Sequence, residues 1–480
     1  MCALKTAWEL ASERIIASKY KKEVFRDEEN EPVEFVTDFE FPGTKDEEGE
    51  FSKDFIEKSQ TQFGGNKQKP QEPNSEVNET GEIKVIQPES HTFHDLNLEV
   101  ILNGNFTGYL GFDRVNRVIA FGLSNRNVKV KIEIEKYLNH INKSTREQLN
   151  ILEKTEVSPD APKIWGVTMP LNLSHTGKKI VYTMIETSEK AHKDYSGKLN
   201  LADEVWVPTN YGKQVLANSD IHIPVFVMPL GVDPSRYNEK AGIMDFGQVM
   251  RSFKFLSVFR WSYRKGFDLL LRAYLEEFNS SDDVSLLMVS RSVECLEDVG
   301  VQKIVEDFNA IKSSVNKSEE DLPHIALYTK PIRESVMPRV YGSCNAYVSL
   351  SRGEGFNLPI VEAASVGLPV IATNVTAHKD YLKPDNSFLI EPEGYVTANI
   401  NGELSRMAKL CRFYEGQIFP NFHNKSLQQI REAMRYVYEN YGEAEKRAKR
   451  LQSFIQNNYT WDMAVDRVYN RLVQVHKEKL

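Results

Sequence analysis

Residues 346–373, AYVSLSRGEGFNLPIVEAASVGLPVIAT, decide the fold class. An apolar run ends near Ser351, the loop Arg352-Gly353-Glu354-Gly355-Phe356-Asn357 follows, and Pro359 stands where a helix begins. Proline suits a first helical turn because the N–H it lacks has no intrahelical partner there. Gly367 ends the helix, and Leu368–Thr373 reads as the next strand. Strand, loop, helix and strand in that order form the repeating unit of a parallel sheet.

The same alternation extends in both directions. Before this stretch come a strand at Phe253–Phe259, a helix at Phe267–Glu277, a strand at Val284–Ser290, a helix at Val301–Ser313 and a strand at His324–Tyr328. Further upstream, Leu98–Leu102 is a short apolar run, followed by a loop bearing Gly104, Gly108 and Gly111. A helix at Asp113–Leu123 and strands at Val128–Ile134, Lys179–Ile185, Glu204–Val207 and Pro224–Met228 complete the pattern. That is too much alternating chain for one sheet, so it divides into two α/β domains with both sheet faces covered, 96–235 and 236–458.

The 480 residues, 41% apolar and 27% charged, accommodate two such cores and exclude a wholly disordered or disulfide-framework chain. Four dispersed cysteines, with no CxxC pair, read as free thiols in a reducing compartment and offer no metal-ligand spacing. No apolar run approaches the roughly 20 residues that cross a bilayer, and the charged N-terminus lacks a signal peptide's apolar stretch. A cytoplasmic protein is expected, with membrane contact at most peripheral. The net charge of −8 is local: residues 27–89 hold eighteen Asp/Glu against six Lys. The remainder is nearly neutral, without the basic footprint of a nucleic-acid binder. Residues 27–95 read as an acidic linker too poor in apolar side chains to order itself. Within residues 1–26, Leu4, Trp8, Ala11, Ile15 and Tyr20 fall at roughly helical spacing, suited to docking on the body or a partner, or to lying on a membrane.

Open parallel sheets bind ligands beyond the carboxyl ends of their strands. Gly353 and Gly355 would let a ligand approach the backbone, and the helix start behind them favours an anion. Glu354 and Glu362 would be repelled by a phosphate, so they suit the vicinal hydroxyls of sugars on either side of it. A nucleotide-sugar has that layout. A second loop, Arg260-Trp261-Ser262-Tyr263-Arg264-Lys265-Gly266, places cations at the end of a strand, as a diphosphate clamp requires. Taken singly, each loop could equally be a solvated surface turn; their pairing in one domain favours the ligand.

Glu354-Gly-Phe-Asn-Leu-Pro-Ile-Val-Glu362 resembles the E-x7-E signature of the retaining family 4, or group 1, glycosyltransferases. Arg260 and Arg264-Lys265-Gly266 resemble that family's phosphate-binding segment, and Pro229-Leu-Gly231-Val-Asp233 its interdomain turn. Thr460-Trp461 and the helix Ala464–Val475 resemble its closing helix, within a segment 459–480 that returns to the first domain. The resemblance implies a GT-B fold, with two Rossmann-like domains facing a central cleft. It implies transfer of a hexose-like sugar from a nucleotide-diphosphate donor, with retention and without a metal or other cofactor. It assigns Arg260 and Lys265 to the leaving diphosphate, Glu354 to the donor sugar and Glu362 to the ribose. Gly355, Phe356, Asn357 and Leu358 would line the donor, as would Gly108 and Gly111 from the first domain. Glu186 stands where several members carry a catalytic histidine; it would orient the acceptor or sugar, or cap the next helix. His175 and His192 lie outside that stretch.

UDP-, GDP- and ADP-linked donors all satisfy this logic, and the acceptor can be a saccharide, a lipid-linked group, a protein or a small molecule. Two other readings share the scaffold: a nucleotide-sugar epimerase or phosphorylase, and a noncatalytic sugar-nucleotide-binding subunit. The intact Glu, Arg and Lys set argues against the latter.

Overall fold

The computed structural model describes residues 97–480 except 109, 139–140, 168–172, 245, 247–249, 293–296, 331, 403 and 480, together with strands at 21–26 and 32–37. The helix expected near residues 4–20 and most of the acidic linker lie outside the described residues. The two early strands, β1 (Lys21–Arg26) and β2 (Pro32–Thr37), pair as an antiparallel hairpin within the region read as an N-terminal extension.

The first sheet is parallel throughout. It contains β3 (Glu99–Gly104), β4 (Lys129–Ile134), β5 (Lys163–Val167), β6 (Lys179–Thr183), β7 (Glu204–Val207) and β8 (Val225–Val227), in the order β4-β3-β5-β6-β7-β8. The second sheet carries β9 (Phe253–Trp261), β10 (Val284–Ser292), β11 (His324–Tyr328), β12 (Ala346–Ser349), β13 (Val370–Thr373) and β14 (Phe388–Ile390). Its parallel core runs β11-β10-β9-β12-β13-β14, and β2 adds antiparallel to β11 at one edge. Strand order reverses between β3 and β5 in one sheet and between β9 and β12 in the other. At such switch points the flanking crossovers depart to opposite faces and leave a crevice beyond the strand ends.

Apolar alternation built these elements. β7 (EVWV), β12 (AYVS) and β13 (VIAT) are buried along their whole length, as strands covered on both faces require. Behind β3 lies α1 (Gly111–Ser124), whose Val115, Ile119, Ala120 and Leu123 face the core at helical spacing. In the second domain α2 (Phe267–Glu277) follows β9 and α3 (Leu358–Val366) follows β12.

The last helix, α4 (Trp461–Lys479), packs on α1 of the first domain. Arg126 on the end of α1 lies 2.8 Å from Asp466, and Arg471 lies 2.6 Å from the buried Glu204 of β7. Its start is seated on the turn at Gly231-Val232: Val232 N–H donates to Tyr459 O and Trp461 N–H to Val232 O. A Cβ at Gly231 would come within 2.2 Å of the Thr460 carbonyl carbon, so only glycine permits that seat.

Candidate active site

The loops at the second sheet's switch point meet around one buried carboxylate. Glu354, 3% exposed, accepts both contacts of Lys265 Nζ (2.6 and 2.8 Å), one from Arg264 (3.1 Å) and one from the Ser351 hydroxyl (2.6 Å). Burial alone would raise its pKa. The ammonium of Lys265 and guanidinium of Arg264 overcome burial and hold it at about 2. For Lys265, burial wins over Glu354, and its pKa falls below the usual lysine value. Burial also opposes the charge on Arg264, but Glu186, Tyr414 and Glu354 raise its pKa above the ordinary arginine value.

The local backbone explains this convergence. Lys265 ends a single helical turn, Tyr263–Lys265, and Gly266 then adopts φ +70° before α2 begins. A Cβ on Gly266 would sit 1.9 Å from Leu350 O, so the cationic loop lies against the end of the β12 segment only because residue 266 is glycine. Arg264 continues across the cleft: its second terminal nitrogen lies 2.9 Å from Glu186 Oε1, beyond the end of β6 in the first domain. The Tyr414 hydroxyl donates to the other oxygen of Glu186. Glu186 is thus tied into the cleft by two side chains of the second domain, rather than capping the following helix, where His192 accepts from Asp194 N–H.

Several expected placements require revision. Arg260 belongs to β9 itself, exposed at its penultimate position and in register with Arg291 of β10. The cations that hydrogen bonds join to Glu354 are Arg264 and Lys265. Both oxygens of Glu354, expected to face sugar hydroxyls, accept from these cations in the free chain. Gly353 and Gly355 make room for the opposite domain: a Cβ there would meet Glu186 O at 2.0 Å and the Met184 side chain at 2.6 Å. Asn357, in the left-handed region at φ +74°, directs its amide at Ser349 Oγ (3.0 Å) and His378 Nε2 (2.9 Å). Asparagine tolerates that conformation better than most side chains, so it braces the loop from below. Phe356 is buried against Tyr381 and Tyr459, and Leu358 opens α3 within van der Waals reach of a Cβ at Gly111.

The glycine loop of the first domain is braced from within. Asp113 accepts from Gly108 N–H (2.9 Å) and Leu110 N–H (3.2 Å), and Arg117 donates to the carbonyls of Phe106 and Gly108 (2.8 Å each). Two amides that could have faced a phosphate are therefore consumed. Between these residues, Arg114 reaches the second domain, pairing with Glu362 of α3 and standing 2.9 Å from Glu334. Glu362 also accepts from the Tyr341 hydroxyl at 2.8 Å. Arg114 and Arg117 at i, i+3 behind a glycine loop were a visible sign of a cationic helix face. Nothing local marks Tyr341, whose partner Glu362 is 21 residues on, or Tyr414, whose partner Glu186 is 228 residues away.

The cleft is further closed by Asp380, whose carboxylate accepts from the N–H groups of Asn210 (2.6 Å) and Tyr211 (3.1 Å) at a helix start in the first domain. Ser188 N–H donates to Ile418 O at 2.9 Å. No cluster of His, Cys, Asp and Glu suited to a metal ion occurs among the described residues, and no described helix is long and apolar enough to cross a membrane.

Residues 252–402 match the family described as "Glycosyl transferases group 1". Putative glycosyltransferase 45 of a Sulfolobus islandicus filamentous virus is 23% identical over 210 residues, 43% of this chain and 51% of that protein. The match thus spans about half the length of that curated relative. Sucrose-phosphate synthase from Thermosynechococcus elongatus superposes with a TM-score of 0.55 at 13% identity, covering 79% of this chain and 100% of the other. HepE of Anabaena, solved in complex with UDP-glucose, gives 0.54 at 12% identity over 78% of this chain and 100% of the other. Residues 252–402 thus carry the group 1 glycosyltransferase match, and the two parallel-sheet domains have the GT-B fold.

Proposed function

We propose that the protein transfers a sugar, with retention, from a nucleotide-diphosphate sugar to an acceptor hydroxyl in the cleft. The observation that carries this reading is the convergence of Lys265, Arg264 and Glu354 at the switch point, directly across from Glu186. The donor diphosphate lies between the loop at 260–266 and the start of α3, where the positive end of the helix dipole favours negative charge. Lys265, with Arg260 at the end of β9, neutralises the departing diphosphate, a role that a metal fills elsewhere. Glu354 fixes the cationic side chains before donor arrives, so little reorganisation remains at the moment of bond cleavage. Glu362 takes the ribose, and Glu186, steadied by Arg264 and Tyr414, orients the acceptor or the transferred sugar. The acceptor hydroxyl attacks from the face that the leaving group vacates. The relative solved with UDP-glucose supports a nucleotide-sugar donor.

A thermal-shift panel of UDP, GDP, ADP and their glucose conjugates tests this. A ligand that binds only the folded chain raises its melting temperature. One nucleotide series is expected to raise it; no shift with any of them would refute the donor assignment.

A further inference from the structure

Glu362 is expected to receive a ribose, yet one of its oxygens is already taken from across the cleft. Arg114 belongs to α1 of the first domain and Glu362 to α3 of the second, and both side chains are almost wholly buried, 12% and 7% exposed. Arg114 holds Oε1, while Tyr341 donates to Oε2. A ribose diol that needs this carboxylate competes with Arg114 for Oε1. Arg114 also has a second acid within reach. Glu334 lies 2.9 Å from Arg114 Nε, is 42% exposed, and already stands near Arg117 and Arg236.

A separate observation points to a ligand in the same place. The Tyr237 hydroxyl and the Trp461 indole N–H are buried with no hydrogen-bond partner among the described residues. Their rings lie 5.5 and 5.8 Å from the Arg114 guanidinium. Buried polar groups left unpaired are costly and uncommon, and Arg114 Nε beside them also lacks a hydrogen-bond partner among the described residues, so the guanidinium's present seat leaves polar groups unsatisfied that an exchange at Glu362 can pair.

Resting on the donor reading above, we propose that Arg114 is a two-position residue of the nucleotide site. In the free chain it occupies the Glu362 carboxylate and joins the two domains. When donor arrives, the ribose hydroxyls replace it at Glu362, and Glu334 retains the guanidinium at the edge of the site. Charge is conserved in the exchange: Arg114 stays paired, Glu362 passes from an ion pair to hydroxyl donors, and Tyr237 and Trp461 gain polar neighbours. Arg114 thereby sets donor affinity without contributing to sugar transfer itself.

Titration calorimetry of the full chain with UDP, GDP and ADP tests the proposal. Arg114→Met removes the competitor while preserving much of its bulk. The nucleotide that wild type binds should bind the variant about tenfold more tightly, because the fraction of free chain with Glu362 open rises. Glu334→Gln removes the retaining partner and should weaken binding about threefold by the same linkage. Unchanged or weaker binding by R114M would overturn the proposal. If R114M does not fold, E334Q decides alone, and unchanged or tighter binding there would overturn it. If wild type binds none of the three nucleotides, the donor reading itself falls; wild-type binding with no gain in R114M refutes only the exchange.

Discussion

Two glycine-bearing loops, 104–111 after β3 and 353–357 after β12, sit at the switch points of two similar sheets, yet their glycines serve different ends. In the first domain a Cβ at Gly108 would strike the Asp113 carboxylate at 2.6 Å. That loop closes on itself: Asp113 takes the amides of Gly108 and Leu110, and Arg117 the carbonyls of Phe106 and Gly108. In the second domain the glycines yield space to Met184 and Glu186 of the facing domain. The polar groups of that loop are held by its own domain: Glu354 N–H donates to Thr376 Oγ1 (2.9 Å), Phe356 O accepts from the Tyr381 hydroxyl (2.5 Å), and the Asn357 amide is bound to Ser349 and His378. One loop is a brace and the other a docking face. Sequence similarity between glycine loops therefore says little about what each loop packs against; the neighbour that fills the place of the missing Cβ decides it.

The sharpest way to test this contrast is to remove charge from the docking face. Lys265→Ala takes away a cation preorganised for the leaving group, so turnover should fall about 100-fold or more, equivalent to roughly 3 kcal/mol. It also leaves Glu354 with Arg264 as its remaining cationic partner, so thermal denaturation should show a lower Tm. Full turnover in a folded K265A variant would remove the cation from the mechanism. Gly353→Ala should be the next most damaging change. Its new methyl group meets backbone, Glu186 O at 2.0 Å, so the domains must part. Turnover should drop about tenfold, following the loss of closely held cleft geometry, with each domain's core intact by circular dichroism. The matching change in the first loop, Gly111→Ala, meets only the Leu358 methyl at 3.7 Å and should alter stability by less than about 0.5 kcal/mol. Equal damage at both positions would erase the distinction between the loops.

Acid denaturation provides a subtler probe. The folded-state pKa of Glu354 is depressed to about 2 from an ordinary 4.5. Its contribution to stability is therefore complete above pH 4.5 and is lost as pH falls from there through about 2. Glu354→Gln should show a shallower loss of stability across that window than wild type. Parallel curves would mean that Lys265 and Arg264 do not hold the carboxylate.

Much of the parallel-sheet framework was readable because its strands are short apolar runs set off by glycine, proline or charge. His324–Tyr328 and Glu204–Val207 have the bounds that their composition suggests, as does the helix Phe267–Glu277, while the strand expected at Leu368–Thr373 begins two residues later, at Val370. β5, KIWGV, escaped notice because a lysine opens it and a glycine interrupts its apolar side chains. Strands at Gly394–Thr397 and Ile418–Asn421 form a separate antiparallel pair whose chain returns only after twenty residues, a pairing that no local period announces. In the site, the E-x7-E spacing drew attention to Glu354 and Glu362, but their partners could not be read from it. Arg114 and Glu362 are 248 positions apart, and Tyr414 and Glu186 are 228 apart. Such pairs exist only once two domains face one another. The different settings of Arg260 and Arg264 have a related cause: β9 runs two residues beyond its apolar core and carries Arg260 along the strand, while the following turn swings Arg264 inward.

Crystals soaked separately with uridine, guanosine and adenosine diphosphates would examine the central claim most directly. For one of them, electron density for the two phosphates should appear between Lys265 and the first turn of the helix at Leu358. Density for a bound nucleotide elsewhere on the chain, with that crevice filled by its own side chains, would contradict the account.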